Sequence, residues 1–137
     1  MSKLIEIKSH KGLYKVLFNS NPISDLFKSP EKESFYIIDK NISKLYKSEI
    51  KPIVDSGRCL FIEANENNKS LDKFPNYINT LMNLGITRDQ TLLAIGGGIV
   101  QDISCFLAST LMRGLSWKFF PTTLLAQADS CIGSKSS

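Results

Sequence analysis

Two rhythms of apolar residues run along this chain. Residues 4–7 and 14–18 alternate apolar with polar side chains, the period-two pattern of half-buried strands, and they predict a β-hairpin or a pair of edge strands. Three later runs are continuous: residues 35–39 (FYIID), 59–62 (CLFI) and 91–95 (TLLAI). Short continuous runs rich in branched and aromatic residues suit strands of a parallel sheet covered on both faces. A further strand is predicted at residues 117–120, closed by Pro121.

Between these strands the period becomes helical. Leu71, Phe74, Ile78, Leu81 and Leu84 form one stripe, Ser70 is placed to cap it, and Asp72 falls in its first turn, where an anion suits the helix dipole. Gly85 supplies the stop, and Pro75 inside the pattern means that the helix is kinked there or starts late. Val100, Ile103, Leu107 and Leu111 share a face of a second helix. Its other positions (Ser104, Cys105, Ala108, Ser109) are small and suit close packing. Asn41 is placed to cap a short helix carrying Ile42, Leu45 and Tyr46. Strand and helix in alternation imply an α/β fold, a mostly parallel sheet with right-handed crossovers and helices on both faces, preceded by the N-terminal hairpin. At 137 residues without internal repeat or linker, the chain has the length of one domain. It stops at Ser-Lys-Ser-Ser with no closing element, which reads as a C-terminal truncation.

Composition narrows the function classes. Apolar residues make up 42% and charged residues 22%, ordinary values for a globular domain, and no run reaches the ~18 apolar residues of a membrane span. The N-terminus MSKLIEIKSHKG lacks the apolar core of a signal peptide, so the chain reads as cytoplasmic. The net charge of +4 comes from singly scattered lysines, not a clustered stripe, which argues against nucleic acid and for a small anionic partner at most. Cys59, Cys105 and Cys131 are odd in number and far apart, and His10 is the only histidine. Neither a disulfide framework nor a catalytic metal site follows from that set, and the 137 residues are expected to bind no catalytic metal.

The candidate chemistry sits after the third and fourth core strands. Gly96, Gly97 and Gly98 lie between a buried strand and a helix, where a bare backbone lets a phosphate approach the helix N-terminus. A tight turn needing positive φ explains three glycines equally well. The dinucleotide fingerprint GxGxxG asks for glycine at 101, where this chain has Gln101. Asp102 is placed either to reach a ligand hydroxyl or to stabilise the helix dipole. Thr122 and Thr123 follow the next strand, and one of them can serve as a helix cap. Gly133-Ser-Lys-Ser136 ends like a P-loop, but that motif needs glycine at 128, which is Ala128.

Taken together, LLAIGGGIVQD, LASTLMRG and FFPTTLLAQADSCIGSK resemble the 3-dehydroquinate synthase family in order and spacing. Ile37-Ile-Asp39 and Glu66-Asn-Asn-Lys69 match the family's strand-end Asp and its E-x-x-K. The resemblance covers roughly residues 34–137 and is most specific in the PTTLLAQ-D block. Gln101 and Ser134 depart from it, each standing where the family has glycine.

The resemblance implies a Rossmann-like NAD-binding domain, with a helical metal-binding domain beyond residue 137. It implies an NAD-dependent cyclisation of a phosphorylated sugar acid, 3-deoxy-arabino-heptulosonate 7-phosphate, to 3-dehydroquinate. In that family bound NAD transiently oxidises a substrate alcohol, phosphate leaves by β-elimination, the hydride returns and the ring closes by an aldol step. Carried over by position, Asp39 and Asn41 meet the NAD ribose, joined by Glu66 and Lys69. Gly97, Gly98 and Ile99 lie against the pyrophosphate with Asp102 behind, and Thr122 and Thr123 serve the nicotinamide end. Arg113 clamps substrate phosphate across a homodimer interface, while Asp129 and Lys135 hold substrate hydroxyl and carboxylate groups. The divalent metal, zinc or cobalt, belongs to a Glu and two His of the full-length parent, so the 137 residues alone are expected to be inactive. The alternatives are a cyclase of sedoheptulose 7-phosphate or glucose 6-phosphate, a related polyol dehydrogenase, and a non-catalytic NAD-binding domain.

Overall fold

A computed structural model of the protein describes residues 2–10 and 12–132. The chain runs β1 (Lys3–Ser9), β2 (Gly12–Phe18), α1 (Pro22–Lys28), β3 (Ser34–Asp39), α2 (Lys40–Leu45), α3 (Lys51–Asp55) and β4 (Cys59–Ile62). It continues with α4 (Phe74–Asn83), β5 (Thr91–Gly96), α5 (Gly98–Thr110), β6 (Trp117–Pro121) and α6 (Leu124–Ala128). Strands β4-β3-β5-β6 form a parallel sheet, while β1 and β2 pair antiparallel with each other in a separate ribbon.

Each continuous apolar run serves two faces at once. On β3, Phe35 and Ile37 pack with Leu92, Ala94, α4 and α5, whereas Tyr36 and Ile38 pack with Leu93, Ile95 and the first three helices. Each large side chain fully buried this way contributes ~1.5–3 kcal/mol of transfer free energy. Helices α2 and α3 carry the chain from β3 to β4 over one face, and α5 carries it from β5 to β6 over the other. Opposite faces for opposite directions keep both crossovers right-handed.

Three local expectations need correction. Asp39, not Asn41, caps α2: its carboxylate accepts a hydrogen bond from the Asn41 backbone N–H at 2.8 Å. Asp and Asn cap equally well, and the end of β3 places Asp39 one step earlier. Leu45 of that segment is exposed instead of packed, and Tyr46, half-exposed, keeps one tilted ring contact with Phe27 at 6.0 Å. Helix α4 starts late, with Pro75 in its first turn, after a 3₁₀ turn over Leu71–Lys73. Leu71 therefore leaves the stripe and stands 71% exposed, and the Ser70 side chain caps nothing.

Cys59 lies under α3, where its thiol donates to the Ile53 carbonyl at 3.4 Å, and burial pushes it up to about 11. Its thiolate fraction at pH 8 is then about one in a thousand. Iodoacetamide at pH 8 is expected to leave Cys59 unmodified in the native chain and to label it after denaturation. Rapid native labelling, read by mass spectrometry, would show that this side of the sheet is open.

Candidate functional site

The sheet order reverses direction between β3 and β5. From β3 the chain moves outward to β4, and from β5 it moves the other way to β6. In open α/β sheets the crevice at the carboxyl ends of two such strands is the ligand site. Asp39 ends β3, Gly96 ends β5, and Pro121, paired with Gly96, ends β6 and leads into Thr122 and Thr123.

None of the three glycines of the turn has a positive φ; among the described residues the glycines that do are Gly12, Gly57, Gly85 and Gly114. The positive-φ explanation therefore fails, and close approach takes its place. A Cβ on Gly96 would lie 2.7 Å from Val100 Cγ2, and one on Gly97 would lie 2.9 Å from Thr123 Cγ2. Thr123 has little freedom to yield, because its hydroxyl caps α6 by accepting the Ala126 N–H at 3.2 Å. The Thr122 N–H donates to the Gly96 carbonyl at 2.9 Å and ties the two strand ends together. Among the described residues only Ser130 Oγ comes near Gly98, at 4.0 Å from a Cβ built there. The N-cap of α5 is Gly97, which has no side chain to cap it with. An open helix N-terminus beside a bare backbone offers N–H donors and a positive dipole to a phosphate group.

Glu66, Lys69 and Asp102 come together as one ion cluster. Lys69 Nζ lies 2.8 Å from Asp102 Oδ2 and 3.6 Å from Glu66, anchoring the turn after β4 to α5. The hydrogen bond to Asp102 holds the Lys69 pKa above the ordinary lysine value. A raised lysine pKa contributes stability that is fully present at neutral pH and is lost only as strongly alkaline solution deprotonates it. Asp102 thus meets a protein cation, a partner that its place in the sequence did not reveal.

Arg113 is exposed on the turn after α5, between the buried Leu111 and Leu115. Both Met112 (φ 50°) and Arg113 (φ 69°) hold the left-handed region without being glycine. Strain of this kind costs of order 1–3 kcal/mol per residue and concentrates at functional segments. Asp129 ends α6 as its C-terminal cap and is exposed. Lys135 and Ser134 lie outside the described residues. Among the described residues no three His, Cys, Asp or Glu side chains are grouped to hold a metal ion, and no helix is long and apolar enough to cross a membrane.

Residues 59–137, more than half of the chain, match the sequence profile of the family described as 3-dehydroquinate synthase N-terminal. The chain belongs to the 3-dehydroquinate synthase family. The 3-dehydroquinate synthase of Clostridium beijerinckii is 36% identical over 117 residues, covering 82% of this chain and 33% of the relative. That of Acetivibrio thermocellus is 42% identical over 103 residues, covering 72% and 29%. The chain spans about a third of the length of these curated relatives. A crystal structure of 2-deoxy-scyllo-inosose synthase, complexed with carbaglucose-6-phosphate, NAD+ and Co2+, shares the fold with a TM-score of 0.73. At 21% identity it covers 93% of this chain and 37% of its own. The 2-epi-5-epi-valiolone synthase of Streptomyces hygroscopicus subsp. jinggangensis 5008, with NAD+ and Zn2+ bound, gives a TM-score of 0.66 at 25% identity. There the match covers 81% of this chain and 34% of that one.

Proposed function

We propose that these 137 residues form the NAD-binding portion of a 3-dehydroquinate synthase, one that cyclises 3-deoxy-arabino-heptulosonate 7-phosphate with loss of phosphate. The observation that carries this reading is the juxtaposition at the sheet's reversal point of the strand-end Asp39 with the uncapped glycine turn Gly96–Gly98. NAD bound there would supply reversible oxidation of one substrate alcohol.

The chain's own residues hold and orient. The Gly97, Gly98 and Ile99 backbone and the α5 dipole would receive the pyrophosphate, while Asp39 and Asn41 would meet a ribose. The Glu66–Lys69 turn, held against α5 by Asp102, would border that ribose, and Thr122 and Thr123 would face the nicotinamide end. Arg113 presents a planar fork suited to an oxyanion and would bind substrate phosphate within a homodimer. Asp129 and Lys135 would fix substrate hydroxyl and carboxylate groups. The divalent metal, zinc or cobalt, and the helical domain holding it would come from outside these residues. The structures of 2-deoxy-scyllo-inosose and valiolone synthases share this fold, so a sugar phosphate cyclised to a cyclitol is the second reading.

Calorimetric titration of NAD into the chain tests the cofactor assignment. A hydrogen bond to a charged group is worth about 1.5–3 kcal/mol, so Asp39→Ala is expected to weaken binding roughly 10- to 150-fold. Part of that loss reflects the α2 cap. Asp39→Asn keeps a capping side chain and isolates the charge, and it should weaken binding less than Asp39→Ala. Unchanged affinity in both variants would remove Asp39 from the site.

A further inference from the structure

Helix α5 and the segment after α6 are joined by a bond that the sequence does not announce. The Gln101 side chain is 7% exposed, and its Nε2 donates to the Ser130 carbonyl at 2.6 Å, a tie across 29 residues of sequence. The other end of the same amide, Oε1, is buried without a partner among the described residues, as are Ser104 Oγ and Ser130 Oγ. A methionine has nearly the same length and would fill this space without the unpaired Oε1, but it would take the donor away from the Ser130 carbonyl. What glutamine alone supplies is a directed donor. That donor grips the residue next to Asp129, at the start of the 3₁₀ turn Ser130–Ile132, whose Ser130 Oγ lies 4.0 Å from a Cβ built on Gly98. The segment's own bonds are Asp129 N–H to Leu125 O at 3.0 Å, Ile132 N–H to Asp129 O at 3.1 Å and the Cys131 thiol to Gln127 O at 3.3 Å. On the other side, the Tyr14 hydroxyl donates to the Cys131 carbonyl.

We propose that Gln101 is a positioning residue: its amide holds residue 130, and with it the Asp129 carboxylate, at a fixed place beside the glycine turn. The functional weight of this rests on the reading that Asp129 meets the substrate. At position 101 the dinucleotide fingerprint has glycine, which cannot make such a tie.

The test is amide hydrogen exchange by NMR on the full 137-residue chain, comparing wild type with Gln101→Met and Gln101→Glu. In Gln101→Met, protection of the Asp129 and Ile132 amides should fall about tenfold, or about 1.4 kcal/mol. Protection at Ala126 and along β5 should stay as in wild type, and the melting temperature should hold. In Gln101→Glu, the protonated acid can donate to the Ser130 carbonyl and the carboxylate cannot. Protection at 129 and 132 should therefore be high in acid and fall as that side chain ionises, while protection at Ala126 and along β5 does not change with it. Unchanged exchange at both amides in Gln101→Met would overturn the proposal. So would loss of the fold or a uniform rise in exchange, because Gln101 would then be a packing residue. Neither NAD nor substrate enters this measurement, so it stands or falls separately from the NAD titration.

Discussion

Gly96→Ala is expected to lower the stability of the chain by about 3 kcal/mol, the upper range for carbon forced into a full core. The new Cβ would stand 2.7 Å from Val100 Cγ2 and 2.8 Å from Val100 Cβ. Turning the valine side chain relieves the first contact but not the second, because Cβ is fixed by the helix backbone. Val100 is fully buried, so α5 itself must move away from β5. For a domain of this size the melting temperature should drop by roughly 10 °C. Two residues on, Gly98→Ala meets nothing closer than 4.0 Å among the described residues and should be neutral or slightly stabilising. Equal melting temperatures for the two variants would mean that strand and helix approach less closely than these contacts require.

Arg113→Gly is expected to move stability and activity in opposite directions. Glycine accepts the left-handed backbone that Arg113 holds at φ 69°, so the chain should melt no lower than wild type and gain up to about 1 kcal/mol. If Arg113 binds substrate phosphate as proposed above, loss of the guanidinium from a full-length enzyme should cut kcat/KM by about 30- to 150-fold, the worth of a charged hydrogen bond of 2–3 kcal/mol. Reduced stability with normal turnover would instead make Arg113 a scaffold residue, and the strain at Met112 and Arg113 would have no functional account.

The strands and the glycine turn were legible in the sequence because their causes are local. Continuous apolar runs ending in Asp39 and Gly96 can only be covered on two faces, and β3 and β5 are the buried centre of the sheet. The reason for the glycines was not legible, since neither Val100 nor Thr123 declares its distance from them until the sheet has formed. Leu71 misled for the opposite reason: it continues an apolar spacing that Pro75, by starting α4 late, takes out of register. The pairing of Lys69 with Asp102 and of Gln101 with residue 130 joins segments about 30 residues apart, beyond the reach of any periodicity. The left-handed pair at Met112 and Arg113 was hidden as well, because neither residue type favours that conformation and only the anchored leucines on either side impose it.

The sheet order also has a consequence for how the chain is made. Of the four parallel strands β3 is synthesised first, β4 pairs with one of its edges, β5 with the other, and β6 with β5. Each strand leaving the ribosome therefore finds its partner edge already present, and none waits for a segment still to be translated. Assembly can keep pace with translation from the N-terminal side. The slow step falls at β5, which must close the long β3–β5 loop before α5 can dock and β6 can pair.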